Sequence, residues 1–206
     1  MEGYKTIKAK TSAQIEIKRS RFIATVCPCT TEEEATAFIS AMRKKYWDAR
    51  HNVYAFTLRN NGIKRFSDDG EPHSTAGLPV MEAIEHFGVV DVAVVVTRYF
   101  GGILLGTGGL VRAYSEATEF ALKSAEVVTV LPAKQFKVVC DYSDYDVFVK
   151  QAVKAGARIE DTVYAEKIEI TVAIPLEDYS DFEVKCTDVF CGKMPFIAPE
   201  DIFLGF

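Results

Sequence analysis

Residues 98–109 of this 206-residue chain read RYFGGILLGTGG, five glycines in twelve positions. Before them runs VVDVAVVVT (89–97), a short apolar stretch rich in β-branched residues. After them runs LVRAYSEATEFALKS (110–124), in which Leu110, Ala113, Ala117, Phe120, Ala121 and Ser124 recur at helical spacing. A strand, a glycine loop and a helix in that order leave backbone N–H groups bare at the helix start. The helix dipole also favours negative charge there. Arg98 at the strand end and Arg112 in the first helical turn add two cations, with Thr97 and Tyr99 flanking. The spacing points to an anion held by Arg98, Tyr99, Arg112 and the backbone of Gly101, Gly102, Gly106, Gly108 and Gly109. It is neither of the familiar nucleotide fingerprints, because no Gly-Lys-Ser/Thr closes it and the G-x-G-x-x-G spacing is absent. The competing reading is that the glycines only let the helix pack on the sheet.

A second constellation is SDDGEPHSTAGLP (67–79), with Asp68, Asp69, Glu71 and His73 inside six residues. Three carboxylates and an imidazole have the chemistry to bind a divalent ion. The same residues are also turn formers whose side chains satisfy loop backbone. The Ca²⁺-loop pattern and the H-E-x-x-H zinc pair are both absent. The reading adopted is no metal and no cofactor: Asp68, Asp69 and Glu71, supported by Thr75, orient the arginines of the glycine segment by ion pairing. Ser67, Ser74 and Thr75 are candidate nucleophiles and His51, His73 and His86 candidate bases, but no spacing links them and no G-x-S-x-G elbow exists. His86 reads as a helix-end cation and His51 as a partly buried, hydrogen-bonded side chain. Cys27 and Cys29 share one strand face and read as core thiols rather than a metal pair. Tyr46 and Trp47 read as helix-end packing.

The elements that must position these residues are legible from period and punctuation. QIEIKRSRFIATVCPC (14–29) predicts two strands about a tight turn. Thr30 or Thr31 with Glu33 or Glu34 predicts a capping box, followed by a helical face of Ala35, Phe38, Ile39, Met42 and Tyr46. HNVYAFTL (51–58) predicts a strand, Asn60-Asn61-Gly62 a hairpin turn, and a return strand ends at Phe66. Pro79 fits the first turn of a helix carrying Val80, Ile84 and Phe87 and stopped by Gly88. VVTV (127–130) is a further short strand. Leu131-Pro132-Ala133 is the expected boundary, giving domains 1–132 and 133–206. Beyond it Phe136, Val138 and Cys140 alternate as a strand, and Tyr145, Phe148, Ala152 and Ala155 mark a helix ending at Gly156. Two strands follow, then a helix over roughly 176–190 and a strand near 194–204. That order is β-α-β-β-α-β, the ferredoxin-like split. The fold class is α+β.

Bulk properties narrow the function. The net charge of −5 is uneven: residues 133–206 hold 8 Lys+Arg against 14 Asp+Glu, whereas 1–132 hold 16 against 15. Nucleic-acid binding would therefore need a local patch on the first half, where Lys18, Arg19 and Arg21, and Arg43, Lys44 and Lys45, are clustered. The bland reading of both clusters is a solvated hairpin and helix end. No apolar run suits a membrane span, and MEGYKTIKAKTSAQ lacks a signal-peptide core. Five cysteines fit reduced thiols in a cytoplasmic protein.

SDDGEPHSTAGLP followed by VVVTRYFGGILLGTGGLVRAYSEAT resembles the hallmark region of the YigZ/IMPACT family, and KRSRFIATV and ARHNVYAF also fit. The likeness covers about residues 1–130, and the second half resembles the small C-terminal domain of the bacterial members. The chain departs from the family pattern at His73-Ser74, where a small Ser/Gly pair is expected. The resemblance implies a ribosomal-protein-like first domain, as in the fourth domain of elongation factor G, and a ferredoxin-like second domain. It implies no catalytic residues. Eukaryotic relatives modulate translation by competing for an activator of a stress-sensing initiation-factor kinase. The expectation is a non-enzymatic cytoplasmic protein that binds RNA, the ribosome or a translation-factor partner through the glycine/arginine surface. The alternative is a phosphoester or peptide hydrolase using the acidic 67–79 loop, with or without a metal.

Overall fold

The alternation of QIEI and RFIATV builds a hairpin from β2 (Thr11–Ile17) and β3 (Ser20–Pro28), preceded by β1 (Tyr4–Ile7). A computed structural model describes residues 2–205. Ile17 pairs with Ser20, so Lys18 and Arg19 alone make the turn, both at positive φ (47° and 65°). That is the backbone twist that two-residue hairpins favour. Helix α1 (Glu32–Lys45) starts in the capping box of Thr31 and Glu34 and ends in Arg43, Lys44 and Lys45, so its charges complement its dipole. Strands β4 (His51–Leu58) and β5 (Ile63–Ser67) follow, joined through a turn at Asn60–Gly62. Helix α2 (Gly77–Phe87) holds Pro79 in its first turn and is closed by Gly88 in the left-handed conformation. Strand β6 (Val92–Tyr99) and helix α3 (Thr107–Lys123) complete the first unit, which runs from Tyr4 to Val128.

Its sheet is antiparallel in the order β2-β3-β6-β4-β5. The central strand β6 is apolar on both faces. Val92, Val94 and Val96 face the core under α2 and α3, while Ala93 and Val95 face the α1 cluster with Phe56 and Met42. This parity decides where every side chain of β6 goes.

In the second unit β7 (Val127–Cys140), α4 (Tyr142–Lys154), β8 (Arg158–Tyr164), β9 (Ile168–Pro175), α5 (Leu176–Val189) and β10 (Ile197–Gly205) follow the predicted β-α-β-β-α-β order. The strands pair antiparallel as β10-β7-β9-β8, and one sheet face packs Phe136 and Ile170 against Phe148 of α4 and Phe182 of α5. This unit starts at Thr129, a few residues before the expected boundary. Leu131-Pro132-Ala133 is not a linker but part of β7, where Ala133 pairs with both Pro175 and Ile202. Helix α3 also starts earlier than position 110. Leu110 N–H bonds the Gly106 carbonyl at 2.9 Å, so Gly108 and Gly109 form its first turn rather than a loop.

Candidate functional site

Strand register builds the floor of the site. His51 of β4 and Phe22 of β3 lie directly opposite Arg98 on its two sides, and all three share the face beneath α2 and α3. Arg98 is only 6% exposed, and its NH1 donates to Oε1 of the buried Glu71 at 2.7 Å. Tyr114 of α3 donates its phenol to the same oxygen at 2.8 Å. His51 bonds the Asp69 carbonyl through Nδ1 at 2.7 Å and sets Nε2 3.9 Å from Glu71 Oε1. The Phe22 ring meets Tyr114 edge-on at 5.2 Å, and the Arg98 guanidinium lies 5.4 Å from Phe22 and 5.6 Å from Phe100. Burial, reinforced by the Glu71 charge, pushes the Tyr114 phenol well above its ordinary value and keeps it a donor.

Above this floor opens a cleft of about 410 Å³ with apolar walls of Pro72, Phe100, Leu104, Leu105 and Leu110, and Arg50 and Thr107 among its lining. The acidic loop and the glycine segment thus meet across one cavity. Glu71 holds the Arg98 guanidinium in an ion pair. The other carboxylates do different work. Asp68 accepts from the N–H groups of Ser74, Ala76 and Gly77 at 2.9, 3.1 and 2.8 Å, which closes the loop and caps α2. Asp69 takes Arg43 at 2.8 Å and the Asn52 N–H at 2.7 Å. Thr75 closes a turn on the Pro72 carbonyl. His73 bonds Ser74 at the surface. Among the described residues, no group of three His, Cys, Asp or Glu side chains is placed to hold a metal ion.

The glycine segment divides by role. A Cβ on Gly101 would sit 2.0 Å from the Arg19 carbonyl carbon, so this glycine lets the β2–β3 turn pack against the segment. Its N–H donates to Ser20 Oγ at 3.2 Å, an oxygen that Arg98 NH2 also reaches at 3.5 Å. Gly102 and Gly106 turn the chain at positive φ, and Gly108 and Gly109 enter α3. Tyr99 and Thr97 point to the opposite sheet face. Thr97 bonds Asn52 at 2.8 Å, and Tyr99 bonds Asp48 at 2.8 Å beneath the Arg21 guanidinium. Arg112 is exposed and lies two residues beyond Leu110, turned away from the cleft side of α3. Sequence reasoning did not single out Tyr114, Ser20, Phe100 or Arg50. Tyr114 is legible only as one more member of the apolar face of α3.

The outer surface of this region is basic and aromatic. Lys18 and Arg19 ride on the turn against Gly101, Arg21 lies 4.3 Å over Tyr99, and Arg50 lies 6.0 Å from Phe100. Trp47 is 82% exposed, contrary to the packing role expected for it, because the chain turns outward past the last turn of α1; Phe100 is 42% exposed.

Fold and site together define a two-unit α+β protein whose first unit carries a buried ion-pair network, a cleft and a basic rim. Two family models match in the same places: the Impact N-terminal domain over residues 18–122, and a domain of unknown function, DUF1949, over 138–193. The chain belongs to the IMPACT family, as the hallmark residues implied. It is 32% identical to the IMPACT family member YigZ of Escherichia coli, covering 98% of this chain and all of that one. It is also 32% identical to YvyE of Bacillus subtilis, covering 94% of this chain and 89% of the relative. A solved structure described as a hypothetical protein superposes with a TM-score of 0.62 at 32% identity, over 97% of this chain and 98% of the other. No helix among the described residues is long and apolar enough to cross a membrane.

Proposed function

We propose that this chain is a non-enzymatic regulatory protein of translation that binds RNA, on the ribosome, through the exposed face around its glycine segment. The carrying observation is a set of exposed cations, Lys18, Arg19, Arg21 and Arg50, with Arg21 over Tyr99, Arg50 near the half-exposed Phe100, and the exposed Trp47 one residue from Asp48, which accepts from Tyr99. Cations that neutralise phosphates and aromatics on which bases stack are the two components of single-strand binding. The acidic second half sits outside this role, consistent with its composition. Arg98 is not a phosphate contact in this reading, because Glu71 already holds it. The phosphates fall to the exposed cations, Arg112 among them. Asp68 and Asp69 are engaged by backbone N–H groups and Arg43, which leaves the acidic-loop hydrolase little to work with.

Ribosome cosedimentation tests the reading. The wild-type chain should pellet with ribosomes at low salt and less at moderate salt, while Arg19→Glu/Arg21→Glu/Arg50→Glu should stay in the supernatant. Equal pelleting of the two proteins would overturn it.

A further inference from the structure

The cleft has features that backbone binding does not use. Its volume of about 410 Å³ falls in the small-molecule range of about 300–1,000 Å³. Its floor carries two polar groups with unused capacity. The hydrogen bonds Glu71 takes from Arg98 and Tyr114 both fall on Oε1, and among the described residues Oε2 accepts none. Arg98 Nε is buried without a hydrogen-bond partner, a desolvated donor that the protein alone leaves unsatisfied. His51 Nδ1 faces a backbone carbonyl, which can only accept, so that nitrogen donates and fixes the ring beside Glu71. At the rim begins the 17-residue helix α3, where the N–H groups of Thr107 and Gly108 have no partner within the helix.

We propose that this cleft takes a guanine base, with the phosphate of its nucleotide at the start of α3. Guanine carries two adjacent donors on one edge, N1–H and the 2-amino group, beside the O6 acceptor. Glu71 Oε2 accepts from the donors, and Arg98 donates to the acceptor. The ring lies between Phe100 and the leucine walls, where any base gains stacking and dispersion. Adenine and cytosine place a ring-nitrogen lone pair where guanine has N1–H, against the Glu71 carboxylate, and so leave buried polar groups unpaired. The phosphate meets unpaired N–H groups and the positive end of a helix dipole. The inference deepens the RNA reading of the same face, since the base belongs either to a free mononucleotide or to an unpaired nucleotide of bound RNA.

Calorimetry on the full chain with GMP, AMP, CMP, UMP and guanosine tests it. GMP should bind about tenfold or more tighter than AMP. Glu71→Gln should erase that preference. Thr107→Glu, which puts a carboxylate on the exposed first residue of α3 and suits the helix dipole, should weaken GMP far more than guanosine. Arg19→Glu/Arg21→Glu should lose RNA but keep GMP, so the failure of either reading is distinguishable from failure of the other. A preference for G in short RNA as well as for GMP assigns the base to RNA, whereas GMP binding without it assigns a free mononucleotide. Equal or absent binding of the four mononucleotides would overturn the proposal, as would a GMP affinity that neither Glu71→Gln nor Thr107→Glu changes.

Discussion

At the scale of the residue, Arg98 shows how burial sets what a side chain can touch. Its type and position at a strand end suggest an anion contact, yet it is 6% exposed and paired with Glu71. The reason lies in β6, where VAVVVT is apolar on both faces and carries no alternation that reveals which way Arg98 points. Only its register with His51 and Phe22 fixes that. A buried ion pair contributes little beyond an apolar pair of similar shape, but removing one partner strands the other charge. Arg98→Ala should therefore destabilise the first unit by about 3–5 kcal/mol, whereas Arg98→Met/Glu71→Leu should recover most of that loss. Urea denaturation of the two variants and wild type decides the matter, and an Arg98→Ala protein as stable as wild type would contradict the buried-pair assignment. The capping box at Thr31 and the left-handed Gly88 were legible because a cap is a local contract between near neighbours. Glu71 with Tyr114 is a contact across 43 residues that no local pattern shows.

At the scale of the element, the glycines separate into packing and entrance roles that composition alone merges. Gly101 yields to the Arg19 backbone, while Gly108 has open space around its missing Cβ. Gly101→Ala should force apart the β2–β3 turn and the strand end, a cost of about 1–3 kcal/mol. Gly108→Ala, in the first turn of a helix with room to spare, should stabilise by about 0.5–1 kcal/mol. Thermal melts of the two variants should move in opposite directions, and a shared sign would refute the division of roles. The helix start at Thr107 escaped the periodicity because Thr107, Gly108 and Gly109 carry no apolar signal, whereas a hydrogen bond from Leu110 to Gly106 needs none. For the same reason β7 hid its course through Pro132. Proline reads as punctuation, although its place in this strand still lets Ala133 pair on both sides.

At the scale of the whole molecule, the α+β class, the order of the second unit and family membership all followed from the chain itself. The working surface was less legible. It is assembled from the turn at Lys18 and Arg19, the segment holding Trp47 and Arg50, and the strand end at Phe100, three pieces that meet only after the sheet forms. Trp47 is the only tryptophan, is exposed, and precedes Asp48, which accepts from the Tyr99 that Arg21 covers, so its emission is a probe of that region. Single-stranded RNA should quench Trp47 fluorescence. Five exposed cations, Lys18, Arg19, Arg21, Arg50 and Arg112, give a slope of log affinity against log salt of about −3.5, and Arg19→Glu/Arg21→Glu/Arg50→Glu abolishes the effect. Unchanged Trp47 emission, or quenching that is insensitive to salt and identical in the charge-reversed protein, would contradict it.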